Sequence, residues 1–203
     1  MKRTSMQKLT RLAVLVAVTL LMAFTPLGYL KTAGVELSFL MIPVTVGAIV
    51  LGPVSGMILG AVFGITSFVQ CLNGTSFFGA TLLGISPVAT LLTCLPTRML
   101  AGLLPGLLFH KLGKGKRSLA ACAGAAVLGP VLNTVLFTGC VVLFFFQTAY
   151  IQSMANGLGV LAFCAAFVGV QGLIEAIVCF LLSVPISKAL LHLTGTRQKP
   201  ESI

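Results

Sequence analysis

Long runs of apolar residues, separated by short polar stretches, extend over almost the whole chain. Most of these runs approach or exceed the roughly 20 residues that an α-helix needs to cross a bilayer. The pattern predicts six membrane-spanning helices, at about residues 9–30, 37–52, 54–72, 79–110, 118–146 and 158–191. We therefore expect an all-α membrane protein, a single domain over residues 1–203 in which the six helices form one compact bundle.

Two of the six segments differ from the expected length. The second is short for a full span, and we expect it to end at the Gly52-Pro53 turn, where proline lets the next helix begin. The fourth contains an apolar stretch of 31 residues, which at about 1.5 Å per residue exceeds a hydrocarbon core of about 30 Å. Prolines interrupt it at Pro87, Pro96 and Pro105. We therefore predict a kinked, tilted helix whose first turns lie in an outer loop.

A glycine recurs at every fourth position of "GPVSGMILGAVFG", at Gly52, Gly56, Gly60 and Gly64. Each glycine inside a helix in water costs about 0.8–1 kcal/mol relative to alanine. In a membrane the same spacing provides a groove on one helix face, into which another helix backbone can press. We therefore predict close helix contact along this face.

Composition supports a membrane location for the whole chain. Hydrophobic residues make up 58%, charged residues 8%, and the mean hydropathy is +1.12, values that a soluble domain could not cover with polar surface. The formal charge is +10, but most of the basic residues flank the apolar segments, which speaks against nucleic-acid binding.

The basic flanks also predict an orientation. Lysine and arginine gather before the first segment, in "KLGKGKR" at 111–117, and in the C-terminal tail. The positive-inside rule places all three on the cytoplasmic side, which agrees with six spans and with both termini in the cytoplasm. The first segment also has the basic start and apolar core of a cleaved signal peptide, although no clear small-x-small cleavage site follows it.

Two charged residues lie deep in apolar segments, Arg98 in the fourth and Glu175 in the sixth. A charge at the bilayer centre costs at least about 2.5–3.5 kcal/mol, so each needs a partner or a role. Both lie 13 residues before a lysine on helices that run from outside to inside, so their depths match and an ion pair is feasible. The pair would fix helix packing, or one or both groups would line a ligand cavity.

Other polar residues complete the candidate ligand site. Gln171 lies one turn before Glu175 on the same helix face, and Asn133 lies inside the fifth segment. Both side chains could instead form hydrogen bonds between helices. The outer loops add Lys31, Asn73 and Tyr150, which could contact a ligand entering from outside.

Motifs for catalysis and for metal binding are missing from the sequence. It contains neither a phosphate-binding loop nor H-E-x-x-H, and Glu175 is the only acid within a predicted span. We therefore expect neither an enzyme nor a metal or other cofactor. Six cysteines occur singly in apolar stretches, as expected of small hydrophobic residues that fill gaps between helices.

Four stretches together resemble the substrate-binding S components of energy-coupling factor (ECF) vitamin transporters. They are "LAVLVAVTLLMAFTPLG", "IPVTVGAIVLGPVSGMILGAVFGITS", "LPTRMLAGLLPGLLFHKL" and "GLIEAIVCFLLSVPISKAL". The resemblance implies a six-helix bundle in a bacterial cell membrane, with a vitamin site near the outer face. It also implies docking onto a membrane T component and two cytoplasmic ATPase subunits, through an A-x-x-x-A motif that Ala13 and Ala17 match. That spacing would also suit packing within the chain.

Within this family the chain looks closest to the pantothenate-type members, through "AFTPLG", "IPVTVGAIVLGP" and "LPTRML". A carboxylate ligand also suits Arg98 or Lys31. Riboflavin or folate in the same role stays open, because phenylalanine rings could stack on a flat heterocycle. The sequence also leaves open a stand-alone secondary transporter that uses Glu175 as a proton site, and a structural membrane protein.

Overall fold

The computed structural model describes residues 2–26, 28–32, 35–112, 119–155, 157 and 159–196. Within these ranges the chain forms eight α-helices and one pair of short antiparallel strands. In chain order the elements are α1 (Lys2–Phe24), β1 (Tyr29–Thr32), β2 (Val35–Ser38), α2 (Met41–Leu51), α3 (Pro53–Leu72), α4 (Phe77–Ile85), α5 (Pro87–Leu112), α6 (Leu119–Phe145), α7 (Ala149–Ala155) and α8 (Val160–Thr196).

Five of these helices, α1, α3, α5, α6 and α8, are long and apolar enough to cross a membrane. Each overlaps one of the six predicted segments, although α1 begins seven residues earlier than predicted and α8 ends five residues later. The second predicted segment differs, because it contains the end of β2 followed by the 11-residue helix α2. At about 1.5 Å per residue α2 is roughly 16 Å long, about half of a hydrocarbon core. A sixth full-length span is therefore not found among the described helices, and the all-α prediction missed the hairpin.

Two turns show how proline and glycine set the helix ends. Gly52 separates α2 from α3 with φ of 105°, a backbone conformation that glycine adopts without strain, and Pro53 then begins α3. Ser86 is extended and separates α4 from α5, which begins at Pro87, because a residue before proline disfavours helical geometry. The fourth predicted segment is therefore two helices rather than one kinked helix.

The glycine face of α3 packs directly against the backbone of α5. A Cβ added at Gly56 would collide with the carbonyl oxygen of Gly102, and one added at Gly60 would collide with that of Arg98. A Cβ at Gly64 would lie 2.9 Å from the carbonyl oxygen of Cys94. The predicted close contact is therefore confirmed within this chain, except that Gly52 belongs to the turn before α3.

Two buried clusters hold the candidate site. The first cluster joins α1, α2, α3, α5 and α8; it consists of Ala23, Leu40, Met41, Val44, Leu59, Phe63, Ala101 and Cys179. The second cluster joins α4, α6 and α7; it consists of Leu82, Val141, Phe145, Ile151 and Ala155. Phe63 of the first cluster and Phe137, which packs on the second, both contact Arg98, so the arginine lies where the two clusters meet.

Candidate ligand-binding site

Arg98 lies in the middle of α5 with only 7% of its surface exposed. Its guanidinium carbon is 4.5 Å from the centre of the Phe63 ring and 5.2 Å from the centre of the Phe137 ring. Both distances are within the range of cation–π attraction, which is strongest where water is excluded. The two rings therefore hold the positive charge between α3 and α6.

At least one hydrogen-bond donor of Arg98 is unused among the described residues. Its Nη1 donates to the carbonyl oxygen of Cys94, one turn back on α5, at 3.2 Å. Its Nε has no hydrogen-bond partner among the described residues. A guanidinium has five N–H donors, and it binds carboxylates through two parallel hydrogen bonds. No described contact of Arg98 is with a carboxylate, so its charge suits an anionic ligand.

The depth of Glu175 suggested Arg98 as its partner, but its described hydrogen bond is with the backbone of Ser38. Its side chain is buried, with 5% exposed, and its Oε1 accepts a hydrogen bond from the backbone N–H of Ser38 at 2.5 Å. This bond joins α8 to the second strand of the hairpin. Among the described side chains, Arg98 and Glu175 form no ion pair with each other, although they were expected at equal depth.

Asn133 lies on the buried face of α6. It is 7% exposed, and its Oδ1 has no hydrogen-bond partner among the described residues. Phe137 is four residues further along the same helix, and its ring contacts the guanidinium of Arg98. The amide is therefore one helical turn from a ring that contacts the arginine, and the shared polar floor stays a prediction.

Tyr150 reaches the arginine only through other rings. It is half-buried on α7, with its ring centre 6.1 Å from that of Phe78, which in turn is 6.5 Å from that of Phe137. These rings link α7 and α4 to the arginine on α5. Tyr150 is thus placed in the layer of short helices beside the site.

The other predicted loop residues are not brought to the arginine by any described contact. Asn73 is exposed and ends α3, where its backbone N–H donates to carbonyl groups of the last helical turn. The side chains of Lys31 and Gln171 lie outside the described part of the chain.

Sequence reasoning missed three residues that shape the site. Phe63 and Phe137 hold the guanidinium, but in the sequence they cannot be distinguished from other core phenylalanines. Thr45 of α2 is fully buried, and its hydroxyl has no hydrogen-bond partner among the described residues. It faces Gly129 of α6, one turn before Asn133, where an added Cβ would lie 2.7 Å from the hydroxyl. A buried threonine in an apolar helix was the available signal.

A buried arginine without a carboxylate partner among the described residues, in a bundle of apolar helices, is consistent with a membrane protein that binds a small solute. The model of the family "ECF transporter, substrate-specific component" matches residues 7–187, most of the chain. This chain belongs to that family. The resemblance seen in the sequence is thereby confirmed, and the chain is a component of a multi-pass membrane transporter rather than an enzyme.

A curated relative of this S component is the pantothenic acid transporter PanT of Lactococcus lactis subsp. cremoris (strain MG1363). The two sequences are 33% identical over 169 residues, which cover 77% of this chain and 78% of the relative. The similarity therefore extends over most of both proteins.

The A-x-x-x-A motif of this S component lies on an open face of α1. Ala13 and Ala17 are both exposed, and larger exposed side chains flank them on the same face. These are Met6, Leu9, Leu20, Leu21 and Phe24. The opposite face of α1, which includes Leu12 and Leu15, packs on the first cluster. The two alanines therefore form a shallow notch that no described part of the chain covers.

The described residues offer no obvious metal site. No three histidine, cysteine or acidic side chains among them come together as metal ligands would. The six cysteines are free thiols, and four of them are buried.

Proposed function

We propose that the chain is the substrate-binding S component of an ECF-type transporter that takes up pantothenate, a vitamin precursor with a carboxylate at one end. The observation that carries the proposal is Arg98, a buried arginine held between two aromatic rings and without a carboxylate partner among the described residues. The carboxylate of the ligand would supply the counter-charge. The similarity to PanT supports the same substrate.

The remaining site residues have separate roles in this proposal. Asn133 accepts a hydrogen bond from the ligand through its Oδ1, one helical turn from Phe137, whose ring contacts the arginine. Tyr150 borders the site from α7, on the side of the short helices. Gln171, Lys31 and Asn73 stay in the proposed set on the sequence pattern. Glu175 belongs to the set through its hydrogen bond to Ser38 of β2.

The proposed transport cycle needs partner subunits. We propose that Ala13 and Ala17 dock onto the membrane T component, because methyl-sized side chains let two helices approach closely. Two cytoplasmic ATPase subunits would supply the energy. The complex would lie in the bacterial plasma membrane, with both termini of this chain in the cytoplasm.

Ligand binding to the purified protein tests the proposed substrate. Mass spectrometry of small molecules released by denaturation should detect pantothenate, and titration calorimetry should show binding of added pantothenate. Pantothenol, in which an alcohol replaces the carboxylate, should bind at least about 100-fold more weakly, because it leaves the guanidinium without a counter-charge. Equal binding of both compounds would contradict the role of the arginine.

A variant at the arginine sharpens the test. Arg98→Gln should weaken pantothenate binding at least about 50-fold and should change pantothenol binding little, so that the variant no longer distinguishes the two. Arg11→Gln in α1 is the matched control and should bind like the native protein. Unfolding midpoints without ligand establish that both variants are folded.

Transport separates this proposal from a stand-alone transporter. Cells or vesicles that contain this chain without a T component and ATPase subunits should bind pantothenate but not accumulate it. Accumulation by the chain alone would instead favour a secondary transporter.

A further inference from the structure

The hairpin between α1 and α2 has an open edge at Ser38. The strands pair with Tyr29 opposite Ser38, and the backbone N–H of Phe39 donates to the carbonyl of Gly28 at 2.9 Å. In an antiparallel pair, hydrogen-bonded and non-hydrogen-bonded positions alternate. Since Gly28 and Phe39 occupy a bonded position, Tyr29 and Ser38 occupy a non-bonded one. The N–H of Ser38 therefore points away from β1, where a two-stranded hairpin offers it no partner.

Glu175 supplies the missing partner from the other end of the chain. The bond from the Ser38 N–H to Oε1 joins residues 137 positions apart. A buried N–H without an acceptor is costly, and a charged acceptor forms a hydrogen bond roughly twice as strong as a neutral one. This contact gives the buried carboxylate of α8 a described backbone donor and joins Ser38, at the end of β2, to that helix.

The base of the hairpin is also connected to the surroundings of Arg98. Gly28 lies directly against the carbonyl group of Met22, near the end of α1, so that an added Cβ would collide with it. Tyr29 packs on the first cluster, which contains Phe63. The ring of Phe63 lies beneath the guanidinium of Arg98. Hairpin position and the surroundings of the arginine are thus joined through one packed cluster.

We propose that Glu175 is a positioning residue for ligand retention, which holds the paired strands β1 and β2 in place on the cluster whose Phe63 ring contacts Arg98. This inference rests on the proposed function, because it requires a ligand at the arginine. Without the bond to Ser38 the hairpin edge loses its attachment to α8, and a bound ligand escapes more often. The arginine that captures the ligand is unchanged, so the effect falls on the dissociation rate.

Dissociation of radiolabelled pantothenate from the purified protein tests this role. Glu175→Ala should raise the dissociation rate at least about fivefold and leave the association rate within about twofold. Glu175→Gln keeps an acceptor for the N–H and should restore most of the slow dissociation. Ser187→Ala is the control, because Ser187 is also fully buried on α8 but lies three turns away. A change confined to the association rate, or no change, would overturn the proposal.

The backbone donor offers an independent route to the same contact. Ser38→Pro removes the N–H that Glu175 accepts, and an edge position of a strand tolerates proline. It should raise the dissociation rate as Glu175→Ala does, and the double variant should be no faster than either single variant. Ser38→Ala keeps the N–H and should resemble the native protein. Additive effects in the double variant would contradict a direct link.

Amide hydrogen exchange without ligand separates this inference from the proposed function. Glu175→Ala should speed exchange in a peptide that covers Val35–Ser38, whereas Ser187→Ala should not. If the native protein bound no pantothenate but this exchange increased, the proposed substrate would be wrong and the link between α8 and the hairpin would stand. Unchanged exchange would overturn the link itself.

Discussion

The molecule has two helix faces lined by small residues. One packs against another helix of the same chain, and the other is exposed. On α3 the face of Gly56, Gly60 and Gly64 is filled by the backbone of α5 from the same chain. On α1 the face of Ala13 and Ala17 is exposed. Spacing of small residues at i and i+4 therefore shows only that a second helix can pack closely on that face. Whether that helix comes from the same chain is decided by the surrounding fold.

The two faces differ in what a larger side chain would meet. At Gly60 a Cβ would collide with a carbonyl oxygen, and a backbone atom in a packed helix cannot move aside. At Ala13 and Ala17 the space is open, so a larger side chain costs the isolated protein little. Substitutions can therefore separate a role in folding from a role in assembly.

The largest effect is expected for Gly60→Leu. The added side chain must separate α3 from α5, so we expect the free energy of unfolding to fall by more than about 3 kcal/mol, with loss of ligand binding. Thermal unfolding in detergent and size-exclusion chromatography measure this. Gly139→Leu on α6 is the matched control, since nothing lies within 4 Å of a Cβ added there, and it should remain folded. An equal fall in the free energy of unfolding for both variants would mean that the close α3–α5 contact does not cause the loss.

The next effect is expected for the double variant Ala13→Leu with Ala17→Leu. It should abolish pantothenate uptake by cells that contain the proposed partner subunits, because in the proposed complex the filled notch would keep the T component at a distance. Binding to the purified variant should stay within about twofold of native, and its unfolding midpoint should not change. Loss of binding together with uptake would indicate misfolding instead.

A smaller effect is expected on the inner side of α1. The Nε2 of buried Gln70 in α3 donates to the carbonyl oxygen of Ala23, near the end of α1, at 2.6 Å. Gln70→Leu removes this bond and should lower the free energy of unfolding by about 1–3 kcal/mol. Gln152→Leu is the control, because exposed Gln152 makes a comparable bond to Phe146 that water can replace. Equal unfolding midpoints for the two variants would contradict this role of Gln70.

The smallest effect is expected for Gly139→Ala. Alanine favours the helix relative to glycine, and the site is open, so the free energy of unfolding should rise by up to about 1 kcal/mol. Differential scanning fluorimetry suffices to measure the shift. A clear loss of stability would reveal a contact at Gly139 that the fold does not explain.

Apolar periodicity predicted the long helices and the glycine contact, because both depend on features that recur along the chain. Apolar periodicity failed at residues 29–38, "YLKTAGVELS". The two strands there have only four residues each, so their pattern is not detected beside the long apolar runs. In "VELS" polar and apolar residues do alternate, as in a half-buried strand. It also failed at Ser86, because the effect of a proline on the residue before it is local and does not interrupt an apolar run.

Part of the candidate site could be predicted as well. Arg98 and Asn133 stood out because charged and amide groups are costly in a membrane, and the structure buries both. The partner of Glu175 could not be predicted, since it is a backbone N–H, a group that every residue except proline carries. Only the register of the hairpin identifies Ser38 as the residue whose N–H needs an acceptor.

The short helix α2 has a consequence for how the protein responds to its lipid surroundings. All but two of its 11 residues are buried, so neighbouring helices, and not acyl chains, surround it. A helix that lipid does not contact has no need to match the thickness of the bilayer. A change in membrane thickness therefore acts on the lipid-facing helices, while α2 keeps its length and its place.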